Sequence, residues 1–202
     1  MAFQVTLGEI RDLAYAAKDN IWNKARSLDR DVKIYLHWSA GRYDQIFDDY
    51  HINITGDGGI YATTEDFSET LAHTWKRNTG AFGISLCCCY LCTSNDLGPY
   101  APTEQQIDFM AQVGCVVADA WDLTIDLPRI MTHGEAADNE DGLNIHEDYG
   151  PKNGCERWDL EFLGIENSTY FNPYATDGSR GGDILRGKMN WYRFEKKLSS
   201  LI

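Results

Sequence analysis

Histidine is the side chain of this sequence best suited to bind a metal or to transfer protons near neutral pH. The chain has five histidines: His37, His51, His73, His133 and His146. His37 and His133 share a context, because each closes an apolar stretch and is followed within two residues by a small residue. A strand end holds a ligand rigidly and leaves one side open to a cleft, as a catalytic metal requires. By themselves the two residues fit a metal centre and a pair of structural histidines equally well.

A catalytic zinc site usually has three protein ligands and a water. Several side chains that follow His133 could supply a third ligand, and their spacing alone does not choose among them. They are Glu135, Asp138, His146, Asp148, Cys155 and Asp159.

Four of the six cysteines lie in the segment GISLCCCYLC, residues 83–92. It contains one C-x-x-C pair, which is half of a structural zinc site, and the sequence has no second such pair. In an extended strand, alternation would place Ser85, Cys87 and Cys89 on one face. We therefore expect these thiols to pack like small apolar side chains. The alternative is a thiol or metal-sensor protein built around Cys89 and Cys92.

The apolar periodicity predicts an α/β domain with a mixed central β-sheet flanked by helices. The sequence also predicts an acidic loop over 134–154 and a Gly-rich loop that leads into an aromatic and basic C-terminal helix. The other predicted elements are a helix at 6–28, a strand at 32–38, a β-hairpin at 50–63, a strand at 81–90, a helix at 103–121 and a strand at 129–133.

The charge balance restricts the classes of partner. The chain has 202 residues and a formal net charge of −13, which argues against a nucleic-acid or anionic-membrane surface. No apolar run approaches the roughly 18 residues of a membrane span. The N-terminal residues lack the basic and apolar regions of a Sec signal. These features predict a protein that is cytoplasmic on synthesis.

Six short motifs occur together in one order: YLHWSAG, DDYHINITGDGGIY, LAHTWKRNTGAFGISL, PTEQQI, IMTHGEAAD and ERWDL. In that order and spacing the chain resembles the zinc-dependent N-acetylmuramoyl-L-alanine amidases of the amidase-2 family. That family shares its fold with peptidoglycan recognition proteins and includes many phage endolysins. The resemblance spans roughly residues 31–192. It implies an amidase catalytic domain at 31–202, preceded by a helical extension at 1–30.

The resemblance also implies a zinc site. His37 and His133 match the first two zinc ligands of the family. The third family ligand is Asp or Cys, with a substrate-contacting residue two positions earlier. Asp159 with Arg157 fits that pattern better than Cys155 with Asn153, and alternation in an extended segment would put Arg157 and Asp159 on one side.

Other site residues follow from the same resemblance. Tyr50 matches a tyrosine that borders the metal in active relatives, and Arg157 stands where Lys or Thr is more usual. His73 and Asn78 match a segment that walls the substrate groove. Ser85 replaces a Glu that serves some relatives as general base, so Tyr50, Glu135 or the metal-activated water would have to move the proton. The same resemblance places residues 83–90 beside the cleft, which implies that the cysteine cluster forms its wall, with Cys87 near the metal.

The implied activity is hydrolysis of the amide between N-acetylmuramic acid and L-alanine in peptidoglycan or a muropeptide. Two alternatives within the same fold are a non-catalytic peptidoglycan-binding module and a cytosolic muropeptide-recycling amidase. A phage or prophage endolysin would reach the cell wall by holin-type release or another route without Sec. The oligomeric state does not follow from the sequence.

Overall fold

A computed structural model describes residues 1–145 and 149–195 of the chain. Within these ranges the chain forms a mixed six-stranded sheet, which confirms the α/β prediction, with strand order β1-β4-β3-β5-β2-β6. No helix in the described part is long and apolar enough to cross a bilayer. The strands are β1 (Phe3–Gln4), β2 (Lys33–Trp38), β3 (Ile52–Ile54), β4 (Ile60–Ala62), β5 (Ala81–Leu86) and β6 (Ile130–Thr132). The helices are α1 (Leu7–Arg26), α2 (Glu104–Ala120), α3 (His133–Ala137) and α4 (Gly181–Phe194), with a 3₁₀ turn at Gly98–Tyr100.

Strand β2 lies between two parallel neighbours. It pairs with β5 on one side and with β6 on the other, and all six of its residues are buried. Parallel strands covered on both faces have continuous apolar runs rather than alternating ones, which accounts for the sequence of β2. The predicted hairpin at 50–63 is confirmed as the antiparallel pair of β3 and β4.

Helix α1 confirms the prediction for residues 6–28 and shares the core with the sheet. Thr6 and Glu9 form a capping box at its first turn. Ile10 and Ala14 are fully buried, and the indole Nε1 of Trp121 donates a hydrogen bond to the Ala14 carbonyl oxygen at 2.7 Å. Strand β1 pairs with β4 at the sheet edge. The first 30 residues therefore pack into the same hydrophobic core as the remainder of the sheet.

Helix α2 confirms the prediction for residues 103–121. Thr103 and Gln106 form a capping box at its first turn. The buried Gln106 amide also donates to the carbonyl oxygens of Ile54 and Cys87, at 2.9 and 3.1 Å. A side chain of the first turn of α2 thus satisfies backbone groups at the ends of β3 and β5.

The strand predicted over 81–90 is too long, because β5 ends at Leu86. Cys89 adopts a left-handed backbone conformation with φ of 66°, and its N–H donates to the carbonyl oxygen of Tyr100. Such a residue cannot continue a regular strand. The expected alternation of Cys87 and Cys89 on one face is therefore wrong.

The loop predicted over 134–154 begins with a short helix instead. Thr132 accepts the Glu135 N–H, and the Glu135 carboxylate accepts the Thr132 N–H, so this capping box turns the chain directly from β6 into α3. The third-ligand candidates His146 and Asp148 lie outside the described residues.

His51 supplies a pH-dependent contribution to folding stability. The imidazole is fully buried, its Nδ1 accepts the Gly83 N–H at 3.0 Å, and its Nε2 lies 2.9 Å from the Glu69 carbonyl oxygen. These contacts require a neutral ring that donates from Nε2. Burial lowers the pKa of His51 to about 4, despite the pull of the Glu69 carbonyl.

In the unfolded chain the histidine has a pKa of about 6.5. As the pH falls, the unfolded state therefore takes up a proton at a higher pH than the folded state does. The contribution of His51 to stability is complete above about pH 6.5 and is lost as the pH falls toward 4, by on the order of 2 kcal/mol at pH 4.5. We expect His51→Asn to reduce the difference between the free energies of unfolding at pH 7 and pH 4.5 by that amount, as measured in urea. An unchanged difference in a folded variant would contradict this assignment.

Candidate metal centre

Two histidines meet at the carboxyl edge of the sheet. His37 is the fifth residue of β2, and His133 follows β6 as the first residue of α3. The register pairs Leu36 with Thr132, so the next residue along each strand lies at the same edge. The ring centroids of His37 and His133 are 4.9 Å apart.

Asp159 completes the group from a segment without regular secondary structure. Its Oδ2 lies 3.6 Å from His37 Nδ1 and 3.7 Å from His133 Nδ1. Its side chain is 13% exposed. The next residue, Leu160, is fully buried with φ of 60°, a conformation that costs free energy in a residue other than glycine.

The three side chains fit a divalent metal ion. Their ligand atoms all lie within 4.8 Å of one another. Ligands held about 2.0–2.2 Å from a tetrahedral zinc are separated by about 3.3–3.6 Å, close to the two Asp159 distances. Among the described residues, the buried Nδ1 of His37 has no hydrogen-bond partner. His37, His133 and Asp159 therefore form a group that could hold a metal ion.

The charge state of the group also suits a cation. Although burial alone would raise the pKa of Asp159, its contacts with His133 and His37 lower it well below the ordinary range. Burial lowers the pKa of His37 to about 4, against the opposing pull of Asp159. At neutral pH the pair consists of a carboxylate and an imidazole with a free lone pair.

Cys155, the rival third ligand, does not join this group. Its thiol is exposed and contacts the carbonyl oxygen of Pro151 at 3.3 Å. Cys155 has φ of 51°, which lies in the left-handed region of backbone conformation. The metal group that forms in the described part of the chain contains Asp159 and no cysteine.

A buried ion pair holds the segment that carries Asp159. Arg180 donates two hydrogen bonds to the Glu161 carboxylate, at 2.8 and 3.0 Å, and a third to Glu140 at 2.9 Å. The next residue, Gly181, begins α4 and donates its N–H to the Glu161 carbonyl oxygen. A Cβ at Gly181 would clash with the carbonyl oxygen of Leu160. The close approach of α4 to residues 160–161 therefore requires glycine.

Glu135, a candidate both for the third ligand and for the proton shuttle, has a structural role. Its carboxylate is 1% exposed and forms a bidentate pair with Arg186 of α4, with both distances at 2.8 Å. One oxygen also caps the N-terminus of α3 through the Thr132 N–H. The carboxylate is thus fully engaged away from the metal group.

A cavity of about 380 Å³ opens over the metal group, within the usual range of ligand sites. Tyr50, His73 and Arg157 all line it, together with His133 and Asp159. The Tyr50 ring centroid is 5.0 Å from that of His37. Burial raises the pKa of Tyr50, and the carboxylates of Asp159 and Asp49 raise it further. The phenol therefore keeps its proton at ordinary pH and is a hydrogen-bond donor rather than a base.

Arg157 places a positive charge in the lining of this cavity. Its side chain is largely exposed, and its Nε donates to the hydroxyl of Tyr149 at 3.0 Å. The guanidinium also lies over the Tyr149 ring, 6.0 Å from the centroid. This partner orients Arg157 without neutralising its charge.

Asn78 lies outside the cavity lining and organises the loop behind it. Its Oδ1 accepts the Thr74 N–H at 2.7 Å. The neighbouring Arg77 is fully buried and pairs with Asp141 at 2.6 Å, which ties the loop to the residues after α3.

The sequence alone gave no signal for Thr74, whose hydroxyl lies between His73 and His37.

The cysteine cluster has one member at the cavity. Cys92 lines it, whereas Cys87, Cys88 and Cys89 are fully buried. All of them are free thiols, and burial raises the pKa of Cys87 to about 12. Cys92 is the member of the cluster that lies in the cavity wall, whereas Cys87, which was expected near the metal, is not among the residues that line the cavity.

Comparison with known proteins finds no matching family model, no matching curated protein and no matching solved structure. The fold and the site by themselves define an α/β protein with a His-His-Asp group that could hold a metal at the carboxyl edge of its sheet.

We expect removal of one partner of the buried pair between Arg180 and Glu161 to lower the stability of the protein strongly. Removing one partner of a buried ion pair leaves an uncompensated charge and costs about 3–5 kcal/mol. We expect Arg180→Met to lower the free energy of unfolding in urea by an amount of this order. The double variant with Glu161→Met is expected to regain part of the loss, because it removes both charges.

Arg11→Ala is the matched control, since its pair with Asp12 is exposed, with side chains 40% and 72% accessible. Exposed pairs contribute at most about 1 kcal/mol. Equal losses in Arg180→Met and Arg11→Ala would show that the buried pair does not anchor the Asp159 segment.

Proposed function

We propose that this protein is a zinc-dependent N-acetylmuramoyl-L-alanine amidase that hydrolyses the amide between N-acetylmuramic acid and L-alanine of peptidoglycan. The observation that carries the proposal is the convergence of His37, His133 and Asp159 in one group, of which His133 and Asp159 line an open cavity. The resemblance of six sequence motifs to the amidase-2 family is the reason for proposing this substrate and this scissile bond. The amidase-type fold belongs to the same proposal.

The ligand set favours zinc. Two imidazoles and one carboxylate are a ligand combination of catalytic zinc sites, in which a fourth position stays open. When bound, zinc supplies a Lewis acid that polarises the scissile carbonyl and lowers the pKa of a water molecule. His37, His133 and Asp159 together carry one negative charge, which leaves a net positive centre for the oxyanion that develops on the substrate.

Tyr50 and Arg157 act on the oxygen of the scissile carbonyl. Both line the cavity beside the metal group. The phenol of Tyr50 retains its proton and can donate a hydrogen bond, and the guanidinium of Arg157 presents a fixed positive charge. Donors of this kind stabilise the negative charge that forms in the transition state of amide hydrolysis.

His73 also lines the cavity and packs against the ring of His37 with a centroid separation of 5.4 Å. It contacts the substrate in this proposal, and Asn78 acts only by holding the loop that presents it. We place the activity on the bacterial cell wall, in a phage or prophage endolysin that is made in the cytoplasm.

The proposal predicts that zinc and activity depend on the same three side chains. His37→Ala, His133→Ala and Asp159→Ala are expected to lose bound zinc and to reduce the release of L-alanine amino termini from purified cell walls to background. Metal analysis of the purified protein and mass spectrometry of products from defined muropeptides check the two effects separately.

Cys155→Ser and the pair Cys89→Ser with Cys92→Ser are the controls, and each is expected to keep stoichiometric zinc. Loss of zinc in Cys155→Ser with retention in Asp159→Ala would identify Cys155 as the ligand. Loss in the Cys89 and Cys92 variant with retention in His37→Ala would favour the thiol-based alternative. Wall binding without zinc or product would identify a non-catalytic binding module.

If Tyr50 donates a hydrogen bond to the oxyanion, removal of its hydroxyl should slow the chemical step. Removing one oxyanion donor costs about 10²–10³ in rate, so Tyr50→Phe is expected to lower kcat by roughly 10²-fold while zinc content stays unchanged. Steady-state kinetics on a defined muropeptide measure this effect. A variant that loses affinity for the substrate but keeps kcat would show that Tyr50 contributes only to binding.

A further inference from the structure

Three buried side chains form a continuous polar chain behind the metal group. The Thr74 hydroxyl lies 3.4 Å from His37 Nε2 and 2.9 Å from His73 Nδ1. His37 is fully buried, Thr74 is 1% exposed and His73 is 5% exposed. Water therefore has little access to this chain, and the hydroxyl has to serve both rings.

The positions of these side chains are fixed from several directions. The Thr74 N–H is held by Asn78, and Arg77 of the same turn is locked in its buried pair with Asp141. A Cβ at Gly83 of β5 would lie 2.7 Å from Cγ of His73, so the ring packs directly on the strand backbone. The Thr74 hydroxyl consequently stays between the two rings.

The count of protons determines the direction of the hydrogen bonds. His37 faces Asp159 with Nδ1, so Nδ1 must be the unprotonated nitrogen if His37 is to bind a metal there. The proton of the neutral ring then resides on Nε2 and can be donated to the Thr74 oxygen. A hydroxyl has one proton, and the Thr74 hydroxyl can then donate it only to the remaining neighbour, His73 Nδ1.

We propose that Thr74 is a positioning residue that selects the metal-binding tautomer of His37, with His73 as the acceptor at the end of the chain. The partner of the non-ligating nitrogen of a metal-bound histidine fixes its tautomer and ring orientation. Backbone carbonyls and carboxylates commonly serve as that partner. Here a hydroxyl does so, because its second hydrogen bond to His73 sets its direction.

This inference rests on the metal group of the proposed function and is independent of the substrate. It assigns to His73 a role in the metal site in addition to its place in the cavity wall. It also explains why a loop between β4 and β5, distant in sequence from all three ligands, packs against His37.

Metal affinity tests the inference without any assay of amide hydrolysis. Thr74→Val keeps the shape of the side chain and removes the hydroxyl, whereas Thr74→Ser keeps the hydroxyl. We expect Thr74→Val to weaken the binding of Zn²⁺ or Co²⁺ by about 10- to 100-fold, in competition with a chromophoric chelator, and Thr74→Ser to stay within about threefold of the unaltered protein. Equal affinities of Thr74→Val and the unaltered protein would overturn the inference.

Thr55→Val is the matched control, because its buried hydroxyl bonds Asp57 and the Gly59 carbonyl in the β-hairpin. This variant is expected to change stability but not metal affinity. An equal loss of affinity in Thr55→Val would mean that the effect of Thr74→Val is a general loss of fold, and this outcome would also overturn the inference.

The histidine tautomers of the zinc-loaded protein provide a test that needs no substitution. Nitrogen-15 NMR is expected to find the His37 proton on Nε2 and an unprotonated Nδ1 on His73. A proton on His73 Nδ1 would show that Thr74 accepts from both rings, and the inference would fail. If the Thr74 effect holds while no muropeptide is cleaved, the proposed reaction fails and the inference stands; if no metal binds, both fail.

Discussion

The parallel pairing of β2 with both β5 and β6 is the constraint on which the candidate site depends. In parallel strands the carboxyl ends meet at one edge, so a residue that ends one strand lies beside the residue that ends the next. This register brings His37 of β2 beside the end of β6, where His133 follows as the first residue of α3. A slip of β6 by one residue would turn the side chains of that strand to the other face of the sheet and separate the two rings.

The third side chain of the group is held by charge rather than by a strand. Asp159 lies in an irregular segment, and the neighbouring Glu161 is buried against Arg180 at the start of α4. A second buried pair, Glu135 with Arg186, joins the same helix to α3 immediately after His133. Helix α4 thus fixes the segments that carry two of the three ligand candidates. Burial of these charges is unfavourable by itself, and each pair has the bidentate geometry that offsets its cost.

The local elements of the fold could be predicted from the sequence, because their signals are local. Capping boxes at Thr6 and Thr103 and the apolar run of β2 define those elements within a few residues. The choice of Asp159 over Cys155 came from a resemblance, since it depends on contacts with α4 that no local pattern encodes. The left-handed conformation of Cys89 and the position of the Thr74 hydroxyl depend on tertiary contacts in the same way.

The electrostatics of the group indicate that it is prepared for a cation before one binds. A metal ligand must be deprotonated, so a site that binds protons tightly at neutral pH has a lower affinity for the metal ion. Burial keeps His37 neutral, with its pKa lowered to about 4, and the two imidazoles keep the pKa of Asp159 low in spite of its burial. A buried carboxylate that stays charged beside the neutral ring of His37 is poorly compensated by the protein alone. A divalent cation held by His37, His133 and Asp159 would supply the missing charge, and it would connect the buried register of β2 to the chemistry of the cavity above it.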